Sequence, residues 1–150
     1  METEKGLYIM LADDDSDDRF FFSEVLEEYK HVALESIEDG VKLMNALNSR
    51  AKLPDLIFLD LNMPGKNGVE CLSEIRQQDK LKDIPVIIFS TSSSKKDIDE
   101  TFDLGANLYI TKPHSFKVLK NIGVPVLLFF VFAFQSNVLK AQYNRFPEEN

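Results

Sequence analysis

Residues 55–65 read DLIFLDLNMPG, and this stretch sets the expected fold. Its apolar part, Leu56 to Asp60, lacks the alternation of a strand with one face in water, so it indicates a strand buried on both faces. The run ends in the carboxylate of Asp60, and a turn-forming Pro64–Gly65 pair follows. The stretch therefore predicts a buried strand of a parallel sheet that carries a carboxylate at its carboxyl end.

Four other short runs have the same apolar character and predict four more strands. Stretches with helical spacing separate them, so strands and helices alternate along the chain. Such alternation favours right-handed crossovers and a parallel sheet with helices on both faces. The predicted strands are Tyr8 to Ala12, Val32 to Ile37, Leu56 to Asp60, Pro85 to Ser90, and Leu108 to Thr111.

Cap residues and apolar spacing predict where the helices begin. The first helix should run from about Asp17 to Tyr29 with Ser16 as its cap, because apolar residues recur at helical spacing. Those residues are Phe20, Phe21, Val25, Leu26 and Tyr29. Later helices should begin after Asp39, at Asn67 or Gly68, and after Ser94, and the last of these should stop at Gly105.

Composition excludes several classes of protein. The chain has 150 residues, 44% hydrophobic and 28% charged, which fits one globular domain. A net charge of −8 disfavours a surface that binds nucleic acid. The single cysteine, Cys71, cannot form an internal disulfide, and Met1 is not followed by an export leader. We therefore expect a cytoplasmic protein.

Polar residues follow four of the five predicted strands. The carboxyl ends of parallel strands meet in one crevice, where function collects in open sheets. Carboxylates crowded there repel one another unless a cation intervenes, and oxygen ligands of this kind suit Mg²⁺. The residues in question are Asp13, Asp14 and Asp15, then Asp60, then Ser90 and Thr91, and finally Thr111 and Lys112.

This set of side chains predicts a pocket that handles a phosphoryl group. A metal ion and the Lys112 ammonium would neutralise the phosphoryl oxygens, and the Ser90 hydroxyl would donate to one of them. Asp60 is then left as the nucleophile.

Four motifs at the strand ends together resemble the receiver domain of two-component response regulators. They are DDD at 13–15, LDLNMPGKNG at 59–68, FSTSS at 89–93 and TKP at 111–113, and the resemblance extends over about Tyr8 to Ile122. It implies a flavodoxin-like (CheY-like), doubly wound α/β fold. The implied sheet has five parallel strands in the order 2-1-3-4-5 with helices on both faces.

The resemblance also implies a role for each site residue. Asp13 and Asp14 correspond to the acidic pair that organises Mg²⁺, and Asp60 to the phosphoacceptor and a further metal ligand. The metal would also take the backbone carbonyl of Asn62. Ser90 and Tyr109 correspond to the switch residues and Lys112 to the ammonium partner, with a cis peptide bond expected between Lys112 and Pro113. Asn62 and Ser92 hold positions that tune access of water to the acyl phosphate.

The carboxyl-terminal part departs from the receiver pattern. An amphipathic helix should begin near Ser115, but Gly123 and Pro125 interrupt it, and residues 124–134 are nearly all apolar. Eleven residues are too short for a membrane span, which needs about 20. We expect a receiver domain over residues 1–134, with its core at about 8–122, and a polar tail over 135–150.

The apolar segment 124–134 leaves two possibilities open. It could contact a second copy of the chain through the fourth helix, fifth strand and fifth helix, or it could fold back on its own domain. Of these two hypotheses, the homodimer is favoured.

The expected function is that of a single-domain response regulator. It would accept a phosphoryl group on Asp60 from a sensor histidine kinase or phosphotransfer protein, and its only catalysis would be its own phosphotransfer and autodephosphorylation. One alternative is a pseudo-receiver or flavin module that keeps the fold without phosphorylation. A less favoured one is a Mg²⁺-dependent aspartyl-phosphate phosphohydrolase, because Asn62 stands where haloacid-dehalogenase enzymes carry a second acid.

Overall fold

A computed structural model describes residues 6–113 of the chain. These residues form alternating strands and helices, as the sequence predicts. The elements are β1 (Leu7–Ala12), α1 (Ser16–Glu27), β2 (Val32–Ile37), α2 (Gly40–Ser49), β3 (Leu56–Leu59), α3 (Gly68–Gln77), β4 (Val86–Ser90), α4 (Lys95–Asp103) and β5 (Leu108–Thr111).

The five strands form one parallel sheet in the order β2-β1-β3-β4-β5, which confirms the predicted fold class and strand order. β1 and β3 lie side by side at the centre, with Ala12 opposite Leu59. β4 and β5 follow on one side, with Ser90 opposite Thr111. All four of these strands therefore end at the same edge of the sheet, and the residues that follow them are neighbours.

Side-chain caps fix the starts of the helices. Asp39, Asn67 and Ser94 each accept a hydrogen bond from a backbone N–H of the helix that follows, as predicted. The predicted cap of α1 was wrong by one residue. Asp15 caps α1, because its carboxylate accepts from the N–H groups of Asp17 and Asp18.

Among residues 6–113, one face of the sheet carries the larger part of the core. Helices α2 and α3 bury their apolar sides there, against residues of β1, β3 and β4. The buried residues of the two helices on this face are Leu43, Met44 and Leu47 of α2, with Cys71, Leu72 and Ile75 of α3.

Helix α1 packs on the opposite face of the sheet, and the side that it buries differs from the predicted one. Phe22, Val25 and Leu26 are buried, whereas Phe20 is 60% exposed and Phe21 is 36% exposed. Phe22 meets the rings of Phe58 and Phe89 edge to face, at centroid distances of 4.8 and 5.7 Å. The spacing 22, 25 and 26 places one side of the helix on the sheet, and Phe20 and Phe21 fall on the other.

The peptide bond between Lys112 and Pro113 does not have the expected cis form. No cis peptide bond occurs among residues 6–113, so this bond is trans. Trans is the favoured isomer of an X–Pro bond by about 0.5–1 kcal/mol. Lys112 reaches the carboxylates of the site with the bond in this form.

The predictions for the carboxyl-terminal helix, the apolar segment 124–134 and the tail 135–150 lie outside the described residues. Within residues 6–113, no helix has the length and apolar character needed to cross a membrane.

Candidate functional site

The carboxyl ends of β1 and β3 bring three carboxylates together. Asp13, Asp14 and Asp60 each offer an oxygen atom, and these atoms all lie within 4.8 Å of one another. Asp13 and Asp60 are buried, with exposed fractions of 0% and 4%, whereas Asp14 is exposed. The predicted acidic residues therefore meet in one place, with one of them open to solvent.

Backbone contacts hold Asp60 in this position. Its N–H donates to the carbonyl of Ala12 at 2.9 Å, which continues the pairing of β1 with β3. The start of α3 lies directly against it, because a Cβ on Gly68 would overlap the carbonyl oxygen of Asp60. Only glycine at position 68 allows this close approach.

Lys112 lies over the carboxylates from the end of β5. Its backbone N–H donates to the carbonyl of Ser90 at 2.7 Å, which fixes the residue beside β4. Its ammonium Nζ is 2.8 Å from Asp13 Oδ2, 2.8 Å from Asp18 Oδ2 and 3.4 Å from Asp60 Oδ2. The Lys112 side chain is only 8% exposed, so its charge is balanced almost entirely by these acids.

Burial dominates the electrostatics of the two enclosed carboxylates. It raises the pKa of Asp60 to about 6, although the Lys112 charge opposes the shift, and the neighbouring Asp13 adds to it. Burial likewise raises the pKa of Asp13. Burial also disfavours the charged form of Lys112, but its contacts with Asp13 and Asp18 outweigh this and hold its pKa above the ordinary value. Within the described part of the chain, the site thus concentrates negative charge that Lys112 neutralises only in part.

The donor set of this cluster fits a divalent cation. Asp13 Oδ2 is buried and pairs with the Lys112 ammonium at 2.8 Å, which leaves this carboxylate oxygen with lone-pair capacity for a cation. Asp14 and Asp60 add carboxylate oxygens within reach of the same point. Hard cations prefer such oxygen ligands, and a positive ion would relieve the repulsion among the three acids.

Ser90, Ser92 and Tyr109 form a second group beside the carboxylates. Ser90 is fully buried, and its hydroxyl accepts a hydrogen bond from the N–H of Ser92 at 3.2 Å. The Tyr109 hydroxyl donates to the carbonyl of Ser92 at 2.6 Å. Ser92 also donates its own hydroxyl hydrogen to the carboxylate of Asp97 on α4. Hydrogen bonds therefore connect the end of β4 with β5 and with the start of α4.

A cleft of about 570 Å³ opens beside Asp14, between the loop that follows β3 and the first turn of α4. Asn62, Met63, Pro64 and Asp97 contribute to its walls. Asn62 therefore lies at the site, and its N–H is 3.5 Å from Asp60 Oδ1. The role of its carbonyl oxygen as a metal ligand stays a prediction.

Sequence reasoning missed two residues of this region, Asp18 and Asp97. The sequence places Asp18 only within the predicted first helix, yet its carboxylate contacts Lys112, a lysine 94 positions further along the chain. Its position five residues after Asp13 was the available signal. Asp97 follows the cap residue Ser94 by three positions, which is a cap pattern and gives no hint of its bond to Ser92.

Comparison with known proteins agrees with this geometry. Residues 9–122 match the model of the response regulator receiver domain. The chain is 36% identical over 120 residues to the response regulator Rcp1 of Synechocystis, covering 74% of this chain and 80% of Rcp1. It is 34% identical over 116 residues to the sensor histidine kinase CheAY of Helicobacter pylori, covering 77% of this chain but only 14% of CheAY.

Two solved structures have the same fold. The phosphorylated cyanobacterial phytochrome response regulator RcpA superposes with a TM-score of 0.79 at 35% identity, covering 84% of this chain and 94% of RcpA. The Mn²⁺-bound form of Rcp1 gives a TM-score of 0.77 at 33% identity, covering 83% and 94% of the two chains. The matched family, the shared fold and the acidic crevice agree, and this chain belongs to the response regulator receiver domain family.

Proposed function

We propose that this chain is a single-domain response regulator that accepts a phosphoryl group on Asp60 from a phosphohistidine of a sensor kinase or phosphotransfer protein. The observation that carries the proposal is the juxtaposition of Asp60 with Lys112 and the acidic pair. A buried carboxylate lies 3.4 Å from a buried ammonium and within 4.8 Å of two further carboxylates. Two relatives add support, since one is a phosphorylated response regulator and the other a sensor histidine kinase.

The transfer step forms one bond and breaks one. A carboxylate oxygen of Asp60 attacks phosphorus in line with the departing histidine. The O–P bond forms, the P–N bond breaks, and the imidazole nitrogen leaves with the electron pair of that bond and takes up a proton. With a pKa of about 6, Asp60 is mostly ionised at neutral pH and ready to attack. Lys112 holds charge on the phosphoryl oxygens, and the Ser90 hydroxyl, at the end of the neighbouring strand β4, donates to one of them.

Asp13, Asp14 and Asp60, together with the carbonyl of Asn62, are the residues we propose for Mg²⁺. When bound, the ion supplies positive charge beside the phosphoryl oxygens and offsets the repulsion of the acids. A structure of the relative Rcp1 in a Mn²⁺-bound form supports the proposal that this chain also binds a divalent cation.

The output is a change of surface at α4 and β5. A new phosphoryl oxygen accepts the Ser90 hydroxyl hydrogen and draws toward Asp60 the hydroxyl that accepts from the Ser92 N–H. Since Ser92 also binds Tyr109 and Asp97, a shift of the β4–α4 loop changes both contacts. Phosphorylation then biases two conformations of this face and with them the affinity for a partner.

We also keep the predicted organisation as a proposal: a receiver domain over residues 1–134, a polar tail over 135–150, and a homodimer through the face formed by α4, β5 and the predicted fifth helix. Sedimentation of the full chain, with and without phosphorylation, tests the dimer. A monomer at high concentration in both states would contradict it.

The experiment that tests the phosphoacceptor proposal is intact-mass measurement after incubation with acetyl phosphate and Mg²⁺. The wild type should gain one phosphoryl group, and chelation of Mg²⁺ should suppress the gain. Asp60→Asn should gain none, whereas Asp55→Asn, a change of the same kind at the opposite end of β3, should behave like the wild type. Absence of an adduct with several donors would favour a pseudo-receiver, and rapid continuous release of phosphate would favour a phosphohydrolase.

A further inference from the structure

Asp18 is the acid at Lys112 that the proposed chemistry does not use. It lies in the first turn of α1, and its carboxylate accepts a hydrogen bond from the Lys112 ammonium at 2.8 Å. The corresponding distance to Asp60, the proposed phosphoacceptor, is longer at 3.4 Å. The side chains of Asp18 and Lys112 are 18% and 8% exposed, so solvent screens this ion pair only in part.

The three acids around Lys112 differ in what a divalent cation would do to them. Asp13 and Asp60 belong to the group of carboxylates that can hold a cation together, and Asp18 does not. A bound cation would therefore offset the charges of Asp13 and Asp60 and leave that of Asp18. Asp18 then becomes the strongest competitor of the phosphoryl oxygens for the Lys112 ammonium.

We propose that Asp18 is a positioning residue that restrains the Lys112 ammonium toward α1 and slows phosphorylation of Asp60. Lys112 has to give up or share its hydrogen bond with Asp18 when it binds the arriving phosphoryl group. This inference rests on the proposed phosphotransfer to Asp60.

The test compares rates of phosphorylation by acetyl phosphate in saturating Mg²⁺. Intact-mass measurement at successive times gives each rate. Asp18→Asn and Asp18→Ala should both be phosphorylated faster than the wild type, by about three- to tenfold for loss of one charge-assisted hydrogen bond. Asp18→Glu keeps the charge and should stay closer to the wild-type rate than either. Asp17→Asn is the matched control, since Asp17 is an exposed acid in the same helical turn. The phosphorylation rate of this variant should differ from that of the wild type by less than twofold.

A second comparison separates the contact with Lys112 from a general effect of charge. In a Lys112→Met background, Asp18→Asn should no longer accelerate phosphorylation. An equal acceleration in that background, or an Asp18→Asn rate that matches Asp17→Asn, would overturn the inference while phosphorylation of the wild type still stands. If the wild type itself takes no phosphoryl group, the proposed function fails and Asp18 has no step to slow.

Discussion

Tyr109 donates its hydroxyl hydrogen to the backbone carbonyl of Ser92 at 2.6 Å, which ties β5 to the loop between β4 and α4. The same Ser92 donates its backbone N–H to Ser90 and its hydroxyl to Asp97. A single loop residue thus contacts the proposed switch serine, the proposed switch tyrosine and the first turn of α4. A movement of Ser90 that displaces Ser92 would change the contacts with Tyr109 and Asp97 as well.

Tyr109→Phe removes this hydrogen bond and keeps the ring. The free energy of unfolding should fall by about 0.5–1.5 kcal/mol, the usual range for one hydrogen bond. Urea denaturation followed by circular dichroism measures it, since the chain has no tryptophan for fluorescence. A stability equal to that of the wild type would mean that the bond contributes nothing to holding the loop.

Asp60→Asn should make the metal-free protein more stable at neutral pH. Burial raises the pKa of Asp60 from 3.8 to about 6, so the folded state favours the protonated acid. The contribution of the Asp60 carboxyl group to the free energy of unfolding is fully present below pH 3.8 and is lost as the pH rises through about 6. The shift corresponds to about 2–3 kcal/mol.

The measurement for Asp60 is urea denaturation of both proteins in chelator between pH 4 and pH 7.5. The advantage of Asp60→Asn should grow over that interval, and it should shrink when Mg²⁺ is added, because the cation stabilises the ionised acid of the wild type alone. A constant difference across the pH range would contradict the electrostatic account.

Gly68→Ala should disrupt the position of Asp60. The added Cβ would overlap the carbonyl oxygen of Asp60, which is backbone and cannot move without displacing the end of β3. A loss of about 3 kcal/mol or more is expected for such overpacking. Gly6→Ala is the control, because its Cβ would meet the carbonyl oxygen of His31 at 3.4 Å, an ordinary contact. Thermal or urea denaturation of the two variants should separate them, and equal stabilities would refute the close approach.

Cys71 should be unreactive in the folded protein. It is fully buried, and burial raises the pKa of its thiol to about 12, so almost no thiolate exists at neutral pH. A thiol reagent should label it only when the protein opens, at a rate that increases with urea concentration. Rapid stoichiometric labelling of the native protein would contradict burial of the thiol between α3 and α2.

The residues at the strand ends explain why so much of the site could be predicted. Asp13, Asp60, Ser90 and Lys112 each follow an apolar run, and a parallel sheet necessarily brings such positions to one edge. Short local patterns therefore predict both the kinds of side chain in the site and the edge of the sheet where they meet. The strand order itself came from the resemblance to receiver domains and not from periodicity.

Contacts between distant positions could not be predicted in the same way. The bond from Lys112 to Asp18 depends on how far α1 rotates about its axis, and the mistaken burial of Phe20 and Phe21 has the same origin. A helix of 12 residues with three consecutive phenylalanines has several rotations of similar apolar content, and only packing against Phe58 and Phe89 selects Phe22.

The central claim is that Asp60 carries the phosphoryl group, and localisation of the modification tests it most directly. Borohydride reduces an aspartyl phosphate to homoserine, so the wild type treated with acetyl phosphate and Mg²⁺ can be reduced, digested and sequenced by mass spectrometry. The account predicts homoserine at position 60 alone. Homoserine at Asp13 or Asp14, or at no aspartate while the protein remains folded, would contradict it.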